Sequence, residues 1–236
     1  QFFYPEIKQF LNKYIQKNIE KELLLIDSNI FDNFQAKREL GENDNYICSL
    51  IRNDYVEEFI RLINYRRIPL SKYIEPSLFE TNDFLLKNKT TLIEYAAFYG
   101  SIQIFKFLLF NDIELKPSLW LYAIHSNNAE LIHLLEEYNV EYSYEICFSE
   151  SIKCHHNDIA DYILYTYLNN MDIKQYSDKT IKRIMHHYNF KYFPIYIDNN
   201  NAFFYSLFKY DYTDFVKLYL NSNENLMIRN KIFYNF

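Results

Sequence analysis

TTLIEYAAFYGSIQIFKFLL, residues 90–109, holds two short helical patterns around one glycine, Gly100. Thr91, Ile93, Ala96 and Ala97 precede that glycine, and Ile102, Ile104, Phe105, Leu108 and Leu109 follow it. Ile104 and Leu108 stand four apart, as do Phe105 and Leu109, so each pair stacks along one helix face. The small pair Ala96 and Ala97 lets two helices approach closely. The reading is therefore a helical hairpin, yet the chain has only one other glycine, Gly41.

Sliding this pattern along the chain finds a second copy at 118–137, SLWLYAIHSNNAELIHLLEE, with Ala123 in the place of Ala96 and Ala129, Leu131, Ile132 and Leu135 on the second helix. A third copy has Ser151, Ile152, Asn157, Ile159, Ala160 and Ile163 at matching places. Residues 46–63 and 202–220 keep only the helix, break, helix outline. The best copies are 27 and 28 residues apart, whereas a full ankyrin repeat takes about 33. The shortfall matches the β-turn finger, where positive φ angles demand glycine. With the fingers pruned the glycines become dispensable. The turn inside each hairpin still needs a residue tolerant of the left-handed region, and Asn53-Asp54, Asn127-Asn128 and Asp211 stand where Gly100 stands.

The expected fold is all-α: an ankyrin-like helical-pair repeat solenoid with pruned β-turn fingers and an N-terminal helical cap. Residues 1–43 form the cap and 44–236 the array, as one continuous domain. In the cap Ile7, Phe10, Leu11, Tyr14, Ile15 and Ile19 keep helical spacing, with Lys8, Lys13, Lys17 and Lys21 on polar positions. SLFETNDFLL predicts one short helix in the link between 64 and 89. A further helix is expected near Lys179 to Tyr188, with a stop at Pro194. The apolar C-terminal IRNKIFYNF suits either packing back on the last pair or a joint to another segment.

A formal net charge of −6 with scattered lysines and arginines lacks the basic footprint of a nucleic-acid binder. No apolar run reaches the ~18 residues that span a bilayer. Three cysteines, Cys48, Cys147 and Cys154, are too few for a disulfide framework and fit a reducing, cytoplasmic setting. Two isolated glycines exclude a phosphate-binding loop.

Residues 49–63 and 75–137 carry SLIRNDYVEEFIRLI, EPSLFETNDFLL, TLIEYAAFYGSIQIFKFLL and PSLWLYAIHSNNAELIHLLEE in that order. In these segments the chain resembles a large family of ankyrin-like proteins of unknown function from flagellated parasitic protists. The resemblance extends over nearly all of residues 40–230. It implies an all-helical solenoid used for protein contacts and brings no catalytic residue. Members of that family often continue into standard ankyrin repeats, and no TPLH-like repeat occurs within residues 1–236.

Repeat arrays bind along the surface formed by successive first helices. The positions facing it are Phe98 and Tyr99, His125 and Ser126, and Lys153 and Cys154. The expectation is a monomeric, non-enzymatic protein-interaction module with an unidentified protein partner, no cofactor and no metal. The competing reading is a metal-dependent enzyme using Cys154, His155 or His156 with His186 or His187, although neither HExxH nor CxxC occurs. A third reading is a structural cap for a longer ankyrin chain.

Overall fold

The computed structural model describes residues 3–26, 33–168, 178–192, 201–214 and 217, and no strand occurs among them beyond one isolated bridge, Tyr73 to Thr91. The fold is all-α. The chain divides into two compact units, residues 1–115 and 116–236. The expected stop at Pro194 and the C-terminal IRNKIFYNF lie outside the described residues. Among the described residues no helix is long and apolar enough to cross a membrane.

The first unit contains α1 (Tyr4–Ile7), α2 (Lys13–Ile26), α3 (Phe34–Leu40), α4 (Tyr46–Arg52), α5 (Val56–Arg66), α6 (Asp83–Lys87), α7 (Leu92–Tyr99) and α8 (Ile102–Leu109). The N-terminal spacing is not that of one continuous face, because the backbone turns extended at Leu11. The Asn12 side chain then accepts the Ile15 amide. Phe10 and Tyr14 consequently stand in solvent. The small core here is instead Tyr4, Leu23, Phe34 and Phe79, which ties the N-terminal helices to the link. Gly41 ends α3 at φ +65°, with Thr81 packed so tightly against it that a Cβ would lie 2.7 Å from the hydroxyl.

Two hairpins, α4 with α5 and α7 with α8, stack first helix on first and second on second. Thr91 starts α7 with a capping box: its hydroxyl accepts the Glu94 amide while the Glu94 carboxylate accepts the Thr91 amide. The second unit contains α9 (Leu119–Ser126), α10 (Ala129–Glu137), α11 (Tyr144–Lys153), α12 (Asn157–Thr166), α13 (Asp178–His186) and α14 (Asn201–Lys209). α9 pairs with α10 and α11 with α12, while α9, α11, α13 and α14 pack in succession. The fully buried Trp120 donates its indole N–H to the Val140 carbonyl, fastening the start of α9 to the segment after α10.

Every first helix ends in the same way. Asp54, Gly100, Asn127, His155, Tyr188 and Asp211 all have φ between +51° and +71°. The expected Asp54, Asn127 and Asp211 adopt the left-handed turn, and His155 and Tyr188 adopt it too, Tyr188 against the steric preference of a bulky side chain. In five of the six, the next amide bonds back across the turn: Tyr55 to Leu50, Ser101 to Ala96, His156 to Ser151, Asn189 to Ile184 and Tyr212 to Leu207, at 2.8–3.1 Å. This 6→1 bond of the Schellman motif satisfies carbonyls that a helix end otherwise leaves orphaned. Four residues before each turn stand Leu50, Ala96, Ala123, Ser151, Ile184 and Leu207, all buried.

The residue after the turn also reaches back to the preceding first helix. Ser101 donates its hydroxyl to the Ile51 carbonyl at 2.5 Å and His156 donates from Nδ1 to that of Ile124 at 2.7 Å. Asn189 donates from its amide to Ile152 at 3.0 Å, and Tyr212 from its hydroxyl to Met185 at 2.9 Å. Each accepting carbonyl lies three residues before a left-handed turn. Four different side chains thus make one equivalent bond.

Candidate functional site

The six residues expected to face a partner are each half-buried. In the first unit the Phe98 ring stacks on Phe84, with centroids 5.9 Å apart, and Tyr99 packs against Tyr95 at 4.8 Å. The Arg52 guanidinium lies over the Tyr99 ring. Burial pushes the Tyr99 hydroxyl up to about 12, so it stays protonated. These two aromatics form a patch extended by Phe84, which sequence reasoning did not include.

In the second unit Ser126 turns back to donate to the Ala123 carbonyl. His125, Lys153 and Cys154 converge on Glu150 of α11. The Glu150 side chain is only 6% exposed. Its Oε1 accepts from His125 Nε2 at 3.1 Å and Lys153 Nζ at 2.5 Å, and its Oε2 from Arg183 at 2.6 Å. Burial by itself raises a carboxyl pKa, but these hydrogen bonds and the charges of Lys153 and Arg183 outweigh it and hold Glu150 at about 2. Glu150 and Arg183 both stand five residues before a left-handed turn, where earlier copies carry Tyr95 and Tyr122. The cluster therefore bridges equivalent positions on successive first helices. A charge at that repeat position, answered by the opposite charge in the next copy, was the available sequence signal.

Cys154 lies beside His125, its sulfur 3.6 Å from Nδ1 and 3.7 Å from Nε2. A thiol activated by histidine is aimed at one nitrogen, whereas this sulfur is equidistant from both. Burial pushes the Cys154 thiol up to about 12, so almost none is thiolate at neutral pH. The grouping is not a poised nucleophile.

His125, Glu150 and Cys154 are also the one set of three possible metal ligands among the described residues, their donor atoms within 4.8 Å of one another. Lys153 and Arg183 already neutralise the carboxylate and leave the cluster with one net positive charge. A divalent cation would have to displace both, so the residues present do not fit one. The expected partners of Cys154 do not assemble. His155 donates from Nε2 to the His187 carbonyl, His156 serves the interhelix ladder, and the His186 ring lies against Tyr210. No family model, characterised protein or solved structure matches the chain.

Proposed function

We propose that the chain is a non-enzymatic protein-interaction module built from ankyrin-like helical pairs with pruned fingers. The observation that carries this reading is the recurrent turn and its ladder, Ser101 to Ile51, His156 to Ile124, Asn189 to Ile152 and Tyr212 to Met185. Neighbours that bond at equivalent atoms are stacked units, and a stack presents its first-helix ends as a surface. In the first unit such a surface carries Phe98 and Tyr99, and in the second unit one of the same kind carries His125, Ser126, Lys153 and Cys154. Aromatic anchors are favoured where a partner buries them. The Glu150 cluster supports the same reading, because its charges hold helices together and its thiol is held protonated.

The test is capture of partners from lysate of the source cell with the intact chain and with Phe98→Ala plus Tyr99→Ala. The expected result is a stoichiometric protein partner lost in the double variant, whose circular dichroism stays helical. An unchanged partner, or none, removes the proposed surface.

A further inference from the structure

In the second unit the Tyr144 and Tyr167 rings lie face to face, with centroids 3.8 Å apart and planes 6° from parallel. Aromatic pairs ordinarily prefer offset or edge-to-face contacts with centroids about 4.5–7 Å apart, so this pair is held closer than stacking alone favours. The buried Trp120 packs T-shaped against both rings, at 5.7 and 6.3 Å. The pair stands at the open end of the α11–α12 hairpin, Tyr144 as the first residue of α11 and Tyr167 as the cap of α12. Both side chains are half-buried and keep some contact with solvent.

The Tyr167 hydroxyl donates to Glu136 Oε1 at 2.6 Å, Tyr162 donates to the same oxygen at 2.8 Å, and His133 Nδ1 meets Oε2 at 2.9 Å. Burial by itself raises the Glu136 pKa, but these hydrogen bonds outweigh it and hold the carboxyl below its usual range, so it is ionised at neutral pH. A phenol that loses an electron becomes a strong acid, and a carboxylate at hydrogen-bond distance is placed to take its proton. Tyr162 shares that carboxylate, but its ring lies 6.4 Å from Tyr167 at 86°. Among these three tyrosines, a facing ring and a proton acceptor therefore coincide at the Tyr144–Tyr167 pair.

We propose that Tyr144 and Tyr167 form an oxidative modification site, joined through their ortho carbons into a dityrosine by peroxide and a haem peroxidase, with Glu136 as proton acceptor. Each phenol gives up one electron and one proton, the Tyr167 proton passing to Glu136 and on to solvent and the Tyr144 proton to water. The two phenoxyl radicals form one carbon–carbon bond between the facing rings, and the hydrogen on each joined carbon moves to its oxygen to restore both phenols. The peroxide O–O bond breaks and takes up the two electrons and two protons as two waters. Rings already in contact couple ahead of rings that must first meet. The product fastens the open end of the hairpin.

Treatment of the dilute intact chain with hydrogen peroxide and a small haem peptide tests this, read by peptide mass spectrometry and dityrosine fluorescence, and it does not depend on the interaction surface above. The expected product is a monomeric chain lighter by the two hydrogens lost, in which the peptides containing Tyr144 and Tyr167 are joined. Tyr144→Phe, which keeps the stacked ring without its hydroxyl, should abolish that link, and Glu136→Gln should slow it about tenfold or more. Tyr162→Phe should leave it in place. The peptide map of the native chain decides the question even where a variant fails to fold. No intramolecular link, links among other tyrosines at equal yield, or a rate untouched by Tyr144→Phe or Glu136→Gln would overturn the proposal.

Discussion

Glu150→Gln removes the charge at the centre of the second unit while keeping the shape of the side chain. In the native chain the carboxylate is 6% exposed and meets His125, Lys153 and Arg183. Its pKa falls from 4.5 to about 2, which at about 1.4 kcal/mol per unit gives an upper bound of about 3 kcal/mol. Lys153 and Arg183 keep close to a third of their side-chain surface in water and can turn outward when the carboxylate goes. Screening of that kind brings the expected loss to about 2 kcal/mol at pH 7. The sign with pH follows from the lowered folded pKa. The stabilisation is complete above pH 4.5 and is lost as pH falls from there toward about 2. Urea unfolding of the wild type and the variant, monitored by circular dichroism from pH 7 down to pH 2, should show a gap that closes over that window. A gap below about 0.5 kcal/mol at pH 7, or one unchanged down to pH 2, would mean that the Glu150 charge does not stabilise the second unit.

The turns and thiols give further checks. Gly100→Ala places a Cβ at φ +71° and should cost about 1 kcal/mol in urea unfolding, whereas Arg67→Gly, at φ +51°, should gain about 0.5 kcal/mol. Asn189→Ala removes the bonds to the Ile152 carbonyl and Asn157 Oδ1 from a residue 2% exposed and should cost about 1–3 kcal/mol. A loss no larger than that of an exposed asparagine would mean the ladder does not stabilise the stack. Burial raises Cys48, Cys147 and Cys154 each to about 12, so a disulfide reagent at pH 8 should label the folded chain slowly and the urea-unfolded chain at once. Fast labelling of Cys154 in the folded chain would reopen the nucleophile reading.

The helices were legible because their signal is local. Ile104, Leu108 and the Ala96-Ala97 pair encode a hairpin within twenty residues, and Asp54, Asn127 and Asp211 tolerate a left-handed turn through their own side chains. Tyr188 was not legible as a turn residue, because a bulky aromatic side chain disfavours that conformation, and His155, which tolerates it better, was read only as a candidate ligand. The His155 conformation is held by the bond from His156 to Ser151, and the Tyr188 conformation by the bond from Asn189 to Ile184. Phe10 and Tyr14 misled for the converse reason. They keep helical spacing across a break that Asn12 imposes. The polar cluster was half legible: His125, Lys153 and Cys154 follow from their places near the turn. Glu150 and Arg183 meet across 33 residues of sequence, and only the copy-to-copy register relates them.

The most direct measurement of the proposed role is a hydrogen-exchange footprint of the chain alone and with its captured partner. Slowed exchange is expected at the first-helix ends, around 98–101 in the first unit and around 125–128 and 153–156 in the second, with the second helices unchanged. Protection confined to the second helices, or absent from all three turns, would contradict the proposed role.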